Sequence, residues 1–270
     1  MTGERVRLRM PLPLFGFYGF LPAFMLVLFR VSGLMLTAPV FSSVALPARI
    51  RVLLATAISL AVFPMTLSYL PTQLTLAQAL VGMVGELAVG VLLGLAVNLV
   101  FLGLELAAEM VGQMSGMRLG EVFNPLFESS AGALGELYTL VAMMIFLAVR
   151  GDHALIRALL DSFQSIPPLS VAPTESLIAL ALDLLTLAFT ITIRVGGPMV
   201  LALMLALMSF GFLSRTIPQL HLMSIGFPIK AAVGLSVAAM TMVSMEGVLV
   251  DGLREAFDAI RIGLGLPPAA

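Results

Sequence analysis

Residues 76–110 read LAQALVGMVGELAVGVLLGLAVNLVFLGLELAAEM, an apolar stretch interrupted by three carboxylates, one asparagine and one glutamine, with no basic residue. At about 1.5 Å of rise per residue, a helix of this length exceeds the ~30 Å hydrocarbon core that about 20 apolar residues span. On a helical wheel at about 100° per residue, Glu86, Gly90, Gly94, Asn98, Glu105, Glu109 and Gly112 share an arc of about 140°. Small residues on one stripe let a second backbone approach, while carboxylates and an amide in apolar surroundings need donors or water. Three readings fit that stripe: a packed helix seam, a proton or ion path through the like-charged Glu105 and Glu109, or the wall of a water-lined conduit.

The rest of the chain belongs to the same class. Of 270 residues, 60% are hydrophobic and 11% charged, against roughly 25% charged in a soluble domain, which assigns the chain to a lipid bilayer. Fourteen basic and fifteen acidic residues leave a net charge of −1, so no electrostatic excess favours nucleic acid. With no cysteine there is no disulfide, thiol nucleophile or thiolate metal site. Further apolar stretches cover 12–37, 52–70, 134–149, 177–212 and 220–250, predicting an all-α integral membrane protein of about six long apolar helices. The basic tail 1–11, with Arg5, Arg7 and Arg9, resembles the start of a signal peptide, but the apolar run after it shows no small-residue cleavage site and reads as a retained first helix.

One integrated membrane domain is expected over 1–270, with connections at 111–133 and 150–175 and a polar C-terminal tail at 251–270. The stretch 177–212 would extend about 54 Å as a single helix, so it must break, tilt or leave the bilayer. Gly196, Gly197 and Pro198, and in the next stretch Gly226 and Pro228, are the expected breaks, because proline removes a backbone donor and clashes with the preceding turn. The connection 111–133 holds Gly112, Met114, Gly116, Met117, Gly120, Phe123 and Phe127, too apolar for a plain solvated loop and suited to a mobile seal. The 150–175 segment is the most water-like, part of it reading as an amphipathic helix.

Charges also stand inside apolar stretches at Arg30, Glu136, Asp183, Arg194, Lys230 and Glu246, where insertion costs about 2.5–3.5 kcal/mol for a central charge. Asp183 and Arg194 share one helix face, but about 16 Å of rise separates them, so each needs a partner elsewhere. Asp152-His153 beside Arg157 reads as a surface or cap feature rather than as acid–base machinery. Two histidines, with no nucleophile elbow, phosphate loop or zincin motif, point to no catalytic, metal or cofactor site and to a protein that is not an enzyme.

The order of short motifs resembles the FliR family, membrane subunits of the bacterial flagellar type III export gate related to the injectisome T subunit. The series is Ala38-Pro39-Val40-Phe41 with Pro47 and Arg49; Glu86 with Gly90 and Gly94; Gly112-Gln113-Met114 and Asn124-Pro125; Phe146 with Gly151 and His153; Ser162-Phe163 and Ile166-Pro167. It ends with Gly211, Arg215, Pro218-Gln219-Leu220 and Gly226-Phe227-Pro228 before Lys230. His221 and Ser115 depart from the usual pattern. The resemblance implies a multi-subunit gate of FliP, FliQ and this chain with FlhB associated, in the inner membrane at the basal body, passing unfolded flagellar proteins. It also implies a plug loop, here Gly112 to about Glu128, and polar residues Glu86, Asn98, Glu105, Glu109, Asp183, Arg194 and Lys230 that pair across subunits or face an aqueous route. An ion-coupled secondary transporter, with broken helices at a midplane site, is the rival reading, and an injectisome T-type subunit is another.

Overall fold

The computed structural model describes residues 12–42, 46–69, 76–116, 132–169, 175–216 and 222–263. Among these, regular structure is entirely helical: α1 (Leu12–Thr37), α2 (Pro39–Ser42), α3 (Ala48–Thr66) with a 3-10 turn at Leu67–Tyr69, α4 (Leu76–Ser115), α5 (Gly132–Ala148), α6 (Gly151–Ser165), α7 (Glu175–Thr216) and α8 (Leu222–Gly263). Four helices, α3, α4, α7 and α8, are long and apolar enough to cross a membrane, and a fifth span results if the bent pair α5–α6 counts as one. The apolar part of α1, Leu21–Thr37, is shorter. The six predicted stretches therefore correspond to α1, α3, α4, α5, α7 and α8 in order.

The residues group into two compact units. One comprises the described parts of Met1–Thr37, Phe41–Gly94 and Ala158–Thr174; the other those of Ala38–Val40, Leu95–Arg157 and Glu175–Ala270. Helices α4 and α6 each give one half to either unit.

In the first unit α1 packs on α3, with the Phe24 and Phe63 rings edge to face at 5.6 Å. Ala55, Ser59, Val62 and Thr66 of α3 are buried at helical spacing. On α1, Gly33 lies against the first half of α4, where a Cβ would sit 2.5 Å from the Leu87 carbonyl oxygen. Gly90 answers from α4: a Cβ there would overlap the Arg30 carbonyl. The small residues of the Glu86 stripe thus permit close backbone approach, and Thr37 adds a hydroxyl donated to the Val91 carbonyl at 3.0 Å.

The second unit is built on packing of α7 with α8 and of α5 with α8. Leu180, Leu184, Ala188, Ile191, Val195, Met199 and Leu203 form the buried stripe of α7. The second half of α4 approaches α7 closely: Thr192 donates to the Gly103 carbonyl at 3.0 Å, and a Cβ on Gly103 would be 2.7 Å from the Ala188 oxygen. The Tyr138 hydroxyl of α5 donates to the Ala238 carbonyl at 3.0 Å and is also hydrogen bonded to Thr241, both on α8. Satisfying that phenol allows a tyrosine to be fully buried.

Three sequence expectations are corrected. Gly196, Gly197 and Pro198 do not break α7, nor do Gly226 and Pro228 break α8; each is one continuous helix of 42 residues. Proline forfeits one hydrogen bond and strains one turn, which a long packed helix tolerates. Gly196 serves packing instead, with a Cβ at 3.4 Å from the Ala107 Cα, whereas a Cβ on Gly197 or Gly226 meets nothing within 4 Å. The expected polar tail from 251 is helical to Gly263, because Leu249, Leu253, Ala256 and Ile260 continue a buried stripe past Asp251, Arg254 and Asp258. Finally, α4 extends through Gly112 and Met114 to Ser115, and Gly116, at φ 79°, takes the left-handed conformation that ends it.

These contacts set opposite expectations for two helical glycines. Gly90→Ala should destabilise the detergent-solubilised chain by about 1–3 kcal/mol, since the obstruction is backbone that cannot rotate away. Gly247→Ala, with nothing within 4 Å, should leave the thermal midpoint unchanged or raised, alanine being the better helix former by about 1 kcal/mol.

Candidate functional site

Arg30 is the largest fully buried side chain among the described residues, and its environment is built from segments far apart in the sequence. Its Nε donates to Glu86 Oε2 at 2.6 Å, Nη1 to Ser162 Oγ at 3.1 Å and Nη2 to the Ile166 carbonyl at 3.1 Å. The guanidinium carbon stands 4.1 Å from the centre of the Phe163 ring, a cation–π arrangement. The Ser162 hydroxyl donates to the Leu159 carbonyl at 2.6 Å, leaving a lone pair for the arginine. The other carboxylate oxygen of Glu86 accepts from the Leu169 N–H at 3.3 Å. Leu169 has a φ of 75°, unusual for a branched side chain, and its methyl group occupies the space a Cβ on Gly82 would take. A planar fork that binds a carboxylate, a hydroxyl and a carbonyl together is a task for arginine and not for lysine.

This corrects the expectation for Glu86. Its carboxylate is 1% exposed within a single chain and already committed to Arg30, so it is a strut inside the protomer rather than an intersubunit or conduit residue. Sequence reasoning placed Arg30 in the membrane but gave it no partner. One signal was available: Glu86 is the sole acidic residue of 76–104. Of the motifs Ser162-Phe163 and Ile166-Pro167, both residues of the first and the Ile166 carbonyl of the second acquire a physical meaning here as walls of the arginine site.

The remaining polar candidates lie in the second unit. Asn98, Glu105 and Glu109 are half-buried on α4, where Gln113 Nε2 donates to Glu109 Oε1 at 3.3 Å. Lys230 is half-buried on α8. Asp183 and Arg194 are exposed on α7, and among the described residues neither has a hydrogen bond or an ion pair. Of the plug candidates, Gly112 is buried and Met114 and Gly116 half-buried at the end of α4, while Met117, Gly120, Phe123 and Phe127 lie outside the described residues.

The elbow between α5 and α6 turns by 68°. Arg150 takes φ 56° there, and a Cβ on Gly151 would enter the Phe146 ring, which in turn meets Phe101 edge to face at 5.7 Å. The Phe146–Gly151 pairing is therefore a steric fit. Asp152 and the exposed His153 make a surface contact at 3.0 Å.

Helices of this length and apolarity, with a buried ion pair and charges left on their outer faces, define a multi-pass all-α membrane protein. The chain belongs to the FliR family of flagellar export proteins, as the family model described as "Bacterial export proteins, family 1" matches residues 21–256. It is 29% identical over 217 residues to the flagellar biosynthetic protein FliR of Escherichia coli K12, covering 80% of this chain and 82% of that one. Similar relatives of the same name occur in Pectobacterium carotovorum, at 28% identity with 86% and 88% covered, and in Bacillus subtilis 168, at 27% with 85% and 88%.

The Arg30–Glu86 pair yields a double-mutant test. Arg30→Ala or Glu86→Ala alone should destabilise by about 3–5 kcal/mol by stranding a buried charge, whereas Arg30→Met with Glu86→Leu should cost clearly less than either single change. Thermal or detergent-titrated unfolding of the purified chain would read both.

Proposed function

We propose that this chain is a subunit of the flagellar type III protein export gate, lining and sealing the conduit through which unfolded flagellar proteins leave the cytoplasm across the inner membrane, at the flagellar basal body. FliP, FliQ and FlhB are the partner subunits in this reading, and the chain supplies wall and seal, with no catalysis of its own. One observation beyond family membership supports it. Only 22% of the most apolar stretch of α7 and of α8 is buried by the described residues, against 61% of that of α4, and the uncovered part of α7 carries the exposed charges Asp183 and Arg194. At about 1.5 Å per residue each of these unbroken helices runs about 63 Å, roughly twice a hydrocarbon core, so neither fits as a plain upright span. Helices of that length, uncovered and charged, suit a subunit completed by other chains. The segment Gly112 to about Glu128 remains the proposed plug, its first residues closing α4 and Gly116 ending that helix.

Deletion of the gene in its host tests the reading. Hook protein and flagellin should disappear from the medium while still being made in the cells, and the gene in trans should restore them; normal secretion would discard the gate assignment. Shortening Gly112–Glu128 should make the closed assembly conduct small ions, and an unaltered conductance would remove the plug from that segment.

A further inference from the structure

One wall of the Arg30 site is a short stretch of chain beyond the end of α6. Ile166 offers its carbonyl to Arg30 Nη2 at 3.1 Å, and Leu169 offers its N–H to Glu86 Oε1 at 3.3 Å, so residues 166–169 bridge the arginine and the glutamate as a strap. Pro167 and Pro168 cannot continue α6 and restrict the residue before each of them, which makes the strap stiff. Its far end is held against backbone preference, since Leu169 takes φ 75°, a conformation suited to glycine. Two contacts hold it there: the Glu86 carboxylate on the amide, and the notch at Gly82 that receives the Leu169 methyl group.

The other contacts of the ion pair do not use the strap. Arg30 keeps Glu86 Oε2 at 2.6 Å, Ser162 Oγ at 3.1 Å and the Phe163 ring whether or not residues 166–169 are in place. The seam between α1 and α4 is a much firmer wall, closed by backbone contact at Gly33 and Gly90. We infer that residues 166–169 form a spring-loaded strap with a docked and a released state. On release Leu169 leaves the Gly82 notch and its φ relaxes to negative values. Water then replaces the Ile166 carbonyl and the Leu169 amide beside an Arg30–Glu86 pair that stays closed. Release relieves backbone strain but yields little chain entropy, because two of the four residues are prolines, so the docked state is the resting one. The freed residues add up to about 13 Å of extended chain to the connection that leads on to α7. Both states belong to the single chain and do not depend on the gate reading.

Amide hydrogen exchange of the purified chain tests the strap. Proline has no amide hydrogen, so that of Leu169 is the sole exchangeable backbone hydrogen between Ile166 and Ser170. It should exchange by local opening, at least tenfold faster than the buried Leu26, Val89 and Leu159 of α1, α4 and α6, and at least tenfold slower than in an unstructured peptide of the same sequence. Leu169→Ala empties the notch and keeps the strain, and should speed exchange about tenfold after correction for intrinsic rates. Leu169→Gly empties the notch and removes the strain, and should exchange several-fold more slowly than the alanine variant. Gly82→Leu, which fills the notch from α4, should free the strap while Leu159 stays protected. A Leu169 amide that opens together with the helices, one that exchanges at the free-chain rate, or a glycine variant at least as fast as the alanine variant would overturn the inference. Should Gly82→Leu fail to fold, the native chain and the two Leu169 variants decide.

Discussion

A guanidinium with no exposed surface has to be held on all sides, and the first unit of this protein is arranged around that requirement. Arg30 draws together Glu86 of α4, Ser162 and Phe163 of α6, and the Ile166 carbonyl beyond it, while Glu86 in turn holds the Leu169 amide. Removing both charges from water costs several kcal/mol per ion, which their attraction and the added hydrogen bonds offset, so the net gain in stability is small. What the pair supplies is selection among arrangements. Only one register of α1 on α4 lets the arginine reach the carboxylate while Gly33 and Gly90 bring the two backbones into contact. Any slip would leave a naked charge among apolar side chains.

The second unit shows the same economy on a smaller scale. Thr192, Tyr138 and Thr241 each bond to a carbonyl, Thr192 reaching Gly103 on α4 and Tyr138 reaching Ala238 on α8. These contacts tie helices that are apolar nearly all round, where hydrophobic patterning alone would leave rotation about the helix axis weakly specified. At the elbow after α5, steric fit does comparable work, since the Phe146 ring occupies the space a Cβ at 151 would need.

Much of this organisation was legible in residue order, and the misses share a cause. Apolar runs located every long helix because burial in lipid or protein imposes a simple composition over twenty or more positions. Glycine and proline were read as breaks at 196–198 and 226–228, yet α7 and α8 pass through, since the penalty for one lost hydrogen bond is local and the packing of Leu184, Val195 and Met199 extends along the helix. The polar look of 251–263 hid a stripe at Leu253, Ala256 and Ile260. The stripe from Glu86 to Gly112 was recognised, but not that its two ends have different fates: Glu86 closes an ion pair within the chain, whereas Glu105 and Glu109 stay half-buried. Partnership between residues 56 apart depends on the tertiary fold, and hydropathy carries no record of it.

Among the described residues the interior charges Arg30 and Glu86 are paired within the chain, whereas Asp183 and Arg194 are exposed and have no hydrogen bond or ion pair; in the proposed gate, other chains would cover them. The absence of cysteine permits a clean measurement of that division. Nitroxide labels on single cysteines introduced at Ile193, Leu201 and Val243, which are 71%, 63% and 85% exposed in the lone chain, would report oxygen accessibility in liposomes holding either the purified chain or the purified export complex. Accessibility should be high for the chain alone and fall several-fold in the complex for the Ile193 label beside the charged face, as a neighbouring helix excludes lipid; equal accessibility at all three sites in both preparations would contradict the claim that other chains cover these helices.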